Sequence, residues 1–156
     1  MNVQAFTAQV AAGALLVALL AVPAHAQRAH VGPHGGYNFD GNRGVAGAQI
    51  LLPIAPQIEL YPSFDYYFES GVTRLAFSGD AKLRFPIGGG TDPYFGGGLN
   101  VLHSSVAGTS GTDTGWDMVF GIESRHGGTH PYVEGRMLHH AASQFQLVAG
   151  LNITLF

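Results

Sequence analysis

The stretch Gln57–Phe85, QIELYPSFDYYFESGVTRLAFSGDAKLRF, decides the fold. Over Gln57–Glu69 the even positions are Ile58, Leu60, Pro62, Phe64, Tyr66 and Phe68, and the odd positions include Glu59, Tyr61, Ser63, Asp65, Tyr67 and Glu69. Strict alternation of this kind is the period of a β-strand, whose successive side chains point to opposite faces. The continuation repeats it: Leu75, Phe77, Gly79, Ala81, Leu83 and Phe85 share one face, opposite Arg74, Ser78, Asp80, Lys82 and Arg84. The acids of one strand thus acquire basic neighbours on the next.

The same division extends along the chain. Trp116, Met118, Phe120 and Ile122 stand against Asp117, Glu123 and Arg125, and Val133, Gly135 and Met137 against Tyr132, Glu134 and Arg136. Near the end, Phe145, Leu147, Ala149, Leu151, Ile153 and Leu155 stand against Gln144, Gln146, Gly150, Asn152 and Thr154. The chain carries 7 Lys and Arg and 10 Asp and Glu. Each falls on the polar parity of a strand or in a turn, loop or terminus, as do Arg28, Asp40, Arg43, Asp92 and Asp113.

Eight strands are expected, near His30–Phe39, Val45–Leu52, Gln57–Glu69, Thr73–Ile87, Pro93–His103, Gly115–Arg125, His130–Leu138 and Gln144–Phe156. Pro53–Pro56, Gly88–Asp92 and His126–Thr129 read as compact turns. Ser104–Thr114 reads as the longest loop, and His139–Ser143 as a second exposed loop. With the N-terminus in the periplasm, the long loop falls outside the cell, the habit of outer-membrane barrels. Pro62 removes a ladder donor within a strand and predicts a local bulge. A second irregularity is expected near the C-terminus, where Phe156 is offset by one from the parity of Leu151, Ile153 and Leu155.

Residues 1–26 read as a cleavable signal peptide, with an apolar run from Ala11 to Val22 and the small-x-small site Ala24-His25-Ala26. Only the free amino terminus supplies the positive charge of its first region. Residues 27–156 form one domain. There is no cysteine, which excludes disulfides and thiolate metal sites. Charged residues are 11% of the chain, against about 25% in soluble domains, yet no second long apolar run follows the signal. A closed barrel reconciles the two, because it satisfies every backbone group between strands and spans lipid in segments of about 9–11 residues. The net charge of −3 argues against nucleic acid as a partner.

A soluble periplasmic barrel with its apolar face inward, a carrier of an apolar ligand, would alternate in the same way. Ring volume argues against it. Phe64, Tyr66, Phe68, Phe77, Phe85, Phe95, Trp116, Phe120 and Phe145 exceed what an eight-strand interior holds beside its other side chains. Facing lipid, they form two girdles: Tyr66, Phe68, Trp116 and Phe145 at the outer interface, Phe85, Phe95 and Phe156 at the inner one. The fold class is therefore all-β, an eight-stranded antiparallel up-and-down transmembrane barrel with a polar, side-chain-filled lumen.

Asp92-Pro93-Tyr94-Phe95-Gly96-Gly97-Gly98-Leu99-Asn100, His130–Arg136 and the terminal Phe156 resemble strands of the OmpA-like, OmpX-like and opacity-type outer-membrane barrels. The resemblance covers nearly the whole mature chain and implies a location in the outer membrane. It also implies contact with outer-membrane lipids and lipopolysaccharide, and assembly through the C-terminal strand by the barrel-assembly machinery. A structural or surface-interaction role follows, with an extracellular partner at Ser104–Thr114.

The lumen-facing Glu59, Asp65, Glu69, Arg74, Asp80, Lys82, Arg84, Glu123, Arg125, Glu134 and Arg136 are expected to form a paired ionic plug rather than a narrow channel. His139 and His140 point to opposite strand faces, so with His103 they make a poor chelate. His30, His34, His126 and His130 read as interfacial polar residues. Lipid A deacylases, also small barrels, carry His-x-Ser-Asn near the C-terminus, and Leu138–Ser143 is similar to it only in part. Ala141 and Ala142 stand two residues after His139 and His140, and Ser143 has a different spacing. No catalytic, cofactor-binding or metal-binding residue is assigned, and the expected function is non-enzymatic.

Overall fold

A computed structural model describes residues 28–155. The segment 1–26 expected to be a signal peptide and the terminal Phe156 lie outside the described residues. Eight strands follow in order: β1 (His30–Asn38), β2 (Arg43–Ala55), β3 (Ile58–Glu69), β4 (Val72–Arg84), β5 (Thr91–Val106), β6 (Thr109–Ser124), β7 (Thr129–His139) and β8 (Ser143–Thr154). Each pairs antiparallel with its neighbours, and β1 closes on β8 from His30↔Thr154 to Asn38↔Gln146, giving a closed barrel. Closure leaves most of the ladder without an edge, which is what strands need to satisfy their backbone in lipid, and no helix among the described residues is long and apolar enough to cross a membrane.

The parity read from the sequence sets the inside and outside. Glu59, Tyr61, Ser63, Asp65 and Tyr67 of β3 are buried in the lumen, as are Ala76, Ser78, Asp80, Lys82 and Arg84 of β4. Phe77, Phe95, Leu99, Met118, Phe120, Ile122, Met137 and Leu147 are exposed on the outer surface. The barrel is thus inverted relative to a soluble carrier, with apolar side chains outward and charges inward. Among the residues expected in the two girdles, Phe145 stacks on Phe39 at 5.7 Å and Phe85 on Phe95 at 5.8 Å.

Three expectations are corrected. Ser104–Thr114 is not a loop: β5 and β6 continue through it to a two-residue turn, Ala107-Gly108, with pairing from His103↔Thr112 to Val106↔Thr109. Its β-branched Val106, Thr109, Thr112 and Thr114 suit a pleated ribbon whether or not lipid faces it. Consequently the turns at that end, Phe39–Asn42, Ser70–Gly71, Ala107–Gly108 and His140–Ala142, are short, and a projecting hairpin replaces the long loop. The turn Pro53–Pro56 shrinks to Pro56-Gln57, because Pro53, Ile54 and Ala55 belong to β2.

The bulge lies between Pro53 and Ala55, where the β2–β3 register shifts, and not at Pro62. Around Pro62 the pairing passes from Gln49↔Ser63 to Leu52↔Leu60 in unchanged register, so the missing donor weakens the β2 side locally while Pro62↔Gly79 holds on the β4 side. The last strand is regular as far as Thr154, pairing His139↔Ser143 through Thr129↔Ile153 with β7.

Two turns depend on unusual backbone. Gly88, Gly89 and Gly90 between β4 and β5 have φ of 86°, 71° and 74°, a run that residues with a Cβ rarely adopt. Ala107 and Gly108 have φ of 47° and 85°, as a two-residue type I′ hairpin requires. Asn tolerates that first position better than Ala. Ala107→Asn should therefore stabilise the hairpin by about 0.5–1 kcal/mol, read as slower amide exchange at Thr109–Thr114, and faster exchange would contradict the turn assignment.

Candidate functional site

The lumen holds the chemistry-bearing side chains, in three layers. The central layer is built by β1, β3, β4, β5 and β7. Glu134, fully buried, accepts from the Tyr61 hydroxyl at 2.7 Å and the Tyr94 hydroxyl at 2.8 Å. Arg136 Nε donates to Glu134 Oε1 at 2.5 Å and Nη1 to Asp65 Oδ2 at 2.9 Å, and Nη2 donates to the Tyr61 hydroxyl. His34 Nε2 meets the other Asp65 oxygen at 2.5 Å. Lys82 Nζ lies 3.4 Å from Glu134 Oε2 and sits over the rings of Tyr61 and Tyr94, at 3.8 and 4.2 Å from their centroids. Two cations and two carboxylates, all buried, are thereby balanced, and the tyrosine faces share in holding the ammonium.

The layer toward the chain termini is a second network. Glu59 Oε1 lies 2.7 Å from Arg125 Nη2 and 3.1 Å from Arg84 Nε, and Arg84 Nη1 donates to Asp92 Oδ2 at 3.1 Å. His130 Nδ1 is 3.3 Å from Glu123 Oε1, and its ring lies 4.9 Å from that of His30. Above these groups opens a vestibule of about 510 Å³ lined by Arg28, His30, Arg84, Arg125, His130 and Thr154 among others.

At the opposite end Arg43 and Arg74 both engage Glu69, the latter at 3.3 Å. Between layers, amides bridge the barrel: Gln49 Nε2 donates to Asn152 Oδ1 at 2.7 Å, and the Tyr132 hydroxyl donates to Gln49 Oε1 at 2.8 Å. In the β7–β8 turn, His140 Nε2 is 2.7 Å from Asn100 Oδ1. Partial burial holds the His140 imidazole below the ordinary histidine range, against the opposing pull of Asp113 and Asp117.

Of the expected plug residues, Glu59, Asp65, Asp80, Lys82, Arg84, Glu123, Glu134 and Arg136 are buried in the lumen, whereas Glu69, Arg74 and Arg125 are only partly buried toward its ends, and the pairing differs from the sequence reading. The cation facing Asp65 comes from β7, not from the adjacent strand, where Ala76 is its register partner. Asp80 meets no cation within ion-pair distance among the described residues and lies beside Asp117. Arg43 and Asp92, assigned to loop and turn, join the networks, and His30, His34 and His130 are buried rather than interfacial. Lumen-parity Tyr61, Tyr94 and Tyr132 were also missed as network members, although their position on the polar parity was a usable signal. No group of three metal-ligating side chains occurs among the described residues.

On the outer face, His139 and Ser143 are register partners across β7 and β8, and His139 Nδ1 lies 2.8 Å from Ser143 Oγ. Trp116 packs on the same imidazole at 4.9 Å. Spacing in sequence did not foresee this contact, because the short turn His140–Ala142 brings the two positions together.

No protein-family model and no curated protein sequence matches the chain. Solved structures do. The N-terminal β-barrel domain of Pseudomonas aeruginosa OprF superposes with a TM-score of 0.71 at 18% identity, over 81% of this chain and 96% of that one. Neisserial surface protein A gives 0.63 at 11% identity, over 82% and 95%. The outer membrane enzyme PagL gives 0.59 at 13% identity, over 81% and 99%. At such identities the likeness is one of architecture, and it agrees with the charge-lined lumen and apolar exterior described above. The chain has the fold of the small eight-stranded outer-membrane β-barrels.

Proposed function

We propose that this chain is a non-enzymatic protein of the bacterial outer membrane with a structural or surface-interaction role. It is exported through residues 1–26 and assembled by the barrel-assembly machinery through β8 and the terminal Phe156. The observation that carries the reading is the inverted barrel: a charge-free apolar exterior surrounds a lumen packed with paired ions. Such an exterior suits outer-membrane lipids and lipopolysaccharide. The lumen suits neither an apolar ligand, which would meet Lys82, Glu134 and Arg136, nor free ion flow past Tyr61, Tyr94 and Tyr132. In this reading the β5–β6 hairpin faces outward from the cell and presents the interaction surface.

Fractionation tests it. The chain should partition with outer membranes and show heat-modifiable gel mobility. Release by osmotic shock as a detergent-free monomer would replace this reading with the soluble carrier.

The His139–Ser143 contact favours a second reading, a lipid-ester hydrolase at the membrane interface, because a hydroxyl within reach of an imidazole is the minimum for acyl transfer. Against it, no third polar group orients the imidazole among the described hydrogen bonds. Altered lipid A acyl chains on overexpression, abolished by Ser143→Ala, would favour this reading over the first.

A further inference from the structure

The vestibule beside the start of β1 and the end of β8 is walled by cations. Arg28, Arg84, Arg125 and His130 line it, and among the described residues no carboxylate does. Its counter-charges, Glu59, Asp92 and Glu123, are buried behind that wall. These acids hold two of the guanidiniums side by side. Arg84 Nε and Arg125 Nη2 lie 3.1 and 2.7 Å from one oxygen, Glu59 Oε1, and Arg84 Nη1 and Arg125 Nε lie 3.1 and 3.6 Å from another, Asp92 Oδ2. Two like charges that would separate in water are thereby fixed as a pair, and the side-chain entropy of ordering them is already lost on folding.

Donors remain for a ligand. A guanidinium carries five N–H groups. Arg125 Nη1 makes no hydrogen bond among the described residues and is not shut away from solvent. Arg28 is exposed and makes no hydrogen bond or ion pair among them. His130 adds charge: its Nε2 donates to Gly127 O at 3.0 Å while its Nδ1 faces Glu123 Oε1 at 3.3 Å, and a ring with an acceptor against each nitrogen suits the imidazolium. Four cations then stand against three carboxylates. The vestibule is also a blind one, because the buried cluster of Leu51, Tyr61 and Val119 fills the lumen farther in.

We propose that this vestibule binds a small soluble molecule bearing a phosphate group, clamped by Arg28, Arg84 and Arg125. A phosphate group offers three charged acceptor oxygens to the three guanidiniums, whose planar forks match it bidentately. At about 510 Å³ the space is larger than inorganic phosphate fills and admits the body of a small phosphate monoester. Its walls belong to the lumen side of the strands, so lipid headgroups, which stand outside the ring, do not reach it. The outer-membrane reading above turns this mouth toward the periplasm, but the site itself does not depend on that reading.

Calorimetric titration tests it, with the full mature chain folded in maltoside micelles in phosphate-free buffer, glycerol 3-phosphate as the probe and glycerol as its neutral control. Expected is saturable binding of glycerol 3-phosphate, weakened by added salt and absent for glycerol. Arg125→Lys, which keeps the charge beside Glu59 and gives up the fork, should weaken it about tenfold. Arg28→Gln, at an exposed side chain the barrel does not lean on, should weaken it about threefold. No saturable binding to a barrel whose heat-modifiable mobility shows it folded would overturn the proposal, and so would an affinity unchanged in both variants. Phosphatidylglycerol added to the micelles separates the sources: an unchanged affinity supports a soluble ligand, and an affinity lost to competition from the lipid would overturn it in favour of a headgroup. Saturable binding by a chain that osmotic shock releases without detergent would uphold the site and remove only the membrane reading.

Discussion

Arg136→Leu should destabilise the barrel by about 3–5 kcal/mol, measured by urea unfolding in lipid vesicles. The guanidinium satisfies Glu134, Asp65 and the Tyr61 hydroxyl at once, and it is buried. Its removal leaves Glu134 with Lys82 at 3.4 Å and Asp65 with His34 at 2.5 Å, two carboxylates in a site water does not reach. Leucine fills part of the volume but offers no donor, so the cost is that of uncompensated charge rather than of a cavity. Arg136→Lys should lose less, because an ammonium keeps the charge while giving up the fork that reaches both carboxylates. An unfolding midpoint unchanged by Arg136→Leu would mean that the guanidinium does not sit in this network.

Phe120→Arg should cost about 2–4 kcal/mol in the bilayer. Phe120 is 50% exposed on the outer surface, halfway from Trp116 to the end of β6 at Ser124 and opposite Phe95 of β5. A guanidinium there must sit in hydrocarbon or distort the bilayer around it. Trp116→Arg, at the interface, should cost only about 0–1 kcal/mol for the cation itself. The gradient with depth is the informative quantity, since a soluble barrel with these side chains inside would show no dependence on height along the strand. Equal losses at both positions would contradict the lipid-facing assignment.

The hairpin end shows where local reading stops. Ser104–Thr114 has the composition of a loop, and composition is all that a polar ribbon above the membrane displays. Pairing from Thr91↔Ser124 to Val106↔Thr109 is a property of two strands held in one continuous register. Pro62 fails in the opposite direction. Its missing donor was legible, but whether a ladder bulges or merely loses a bond depends on the partner strands, and here Gly79 on β4 kept the register. The His139–Ser143 contact was hidden for a similar reason, being set by the length of a turn and not by residue spacing.

The sequence by itself determined the strands, their two faces and the inverted character of the barrel. Side-chain parity has a period of two, so a charge-free apolar face over strand after strand admits few arrangements in a chain with 11% charged residues. What only the tertiary structure decided is who meets whom inside. Arg136 finds Asp65 at a separation of 71 residues, Glu134 gathers Tyr61, Tyr94 and Lys82 from three strands, and Asp80 ends beside Asp117 rather than a cation. Parity sends a side chain into the lumen, whereas strand tilt and closure set its height there, and contacts across a barrel depend on height.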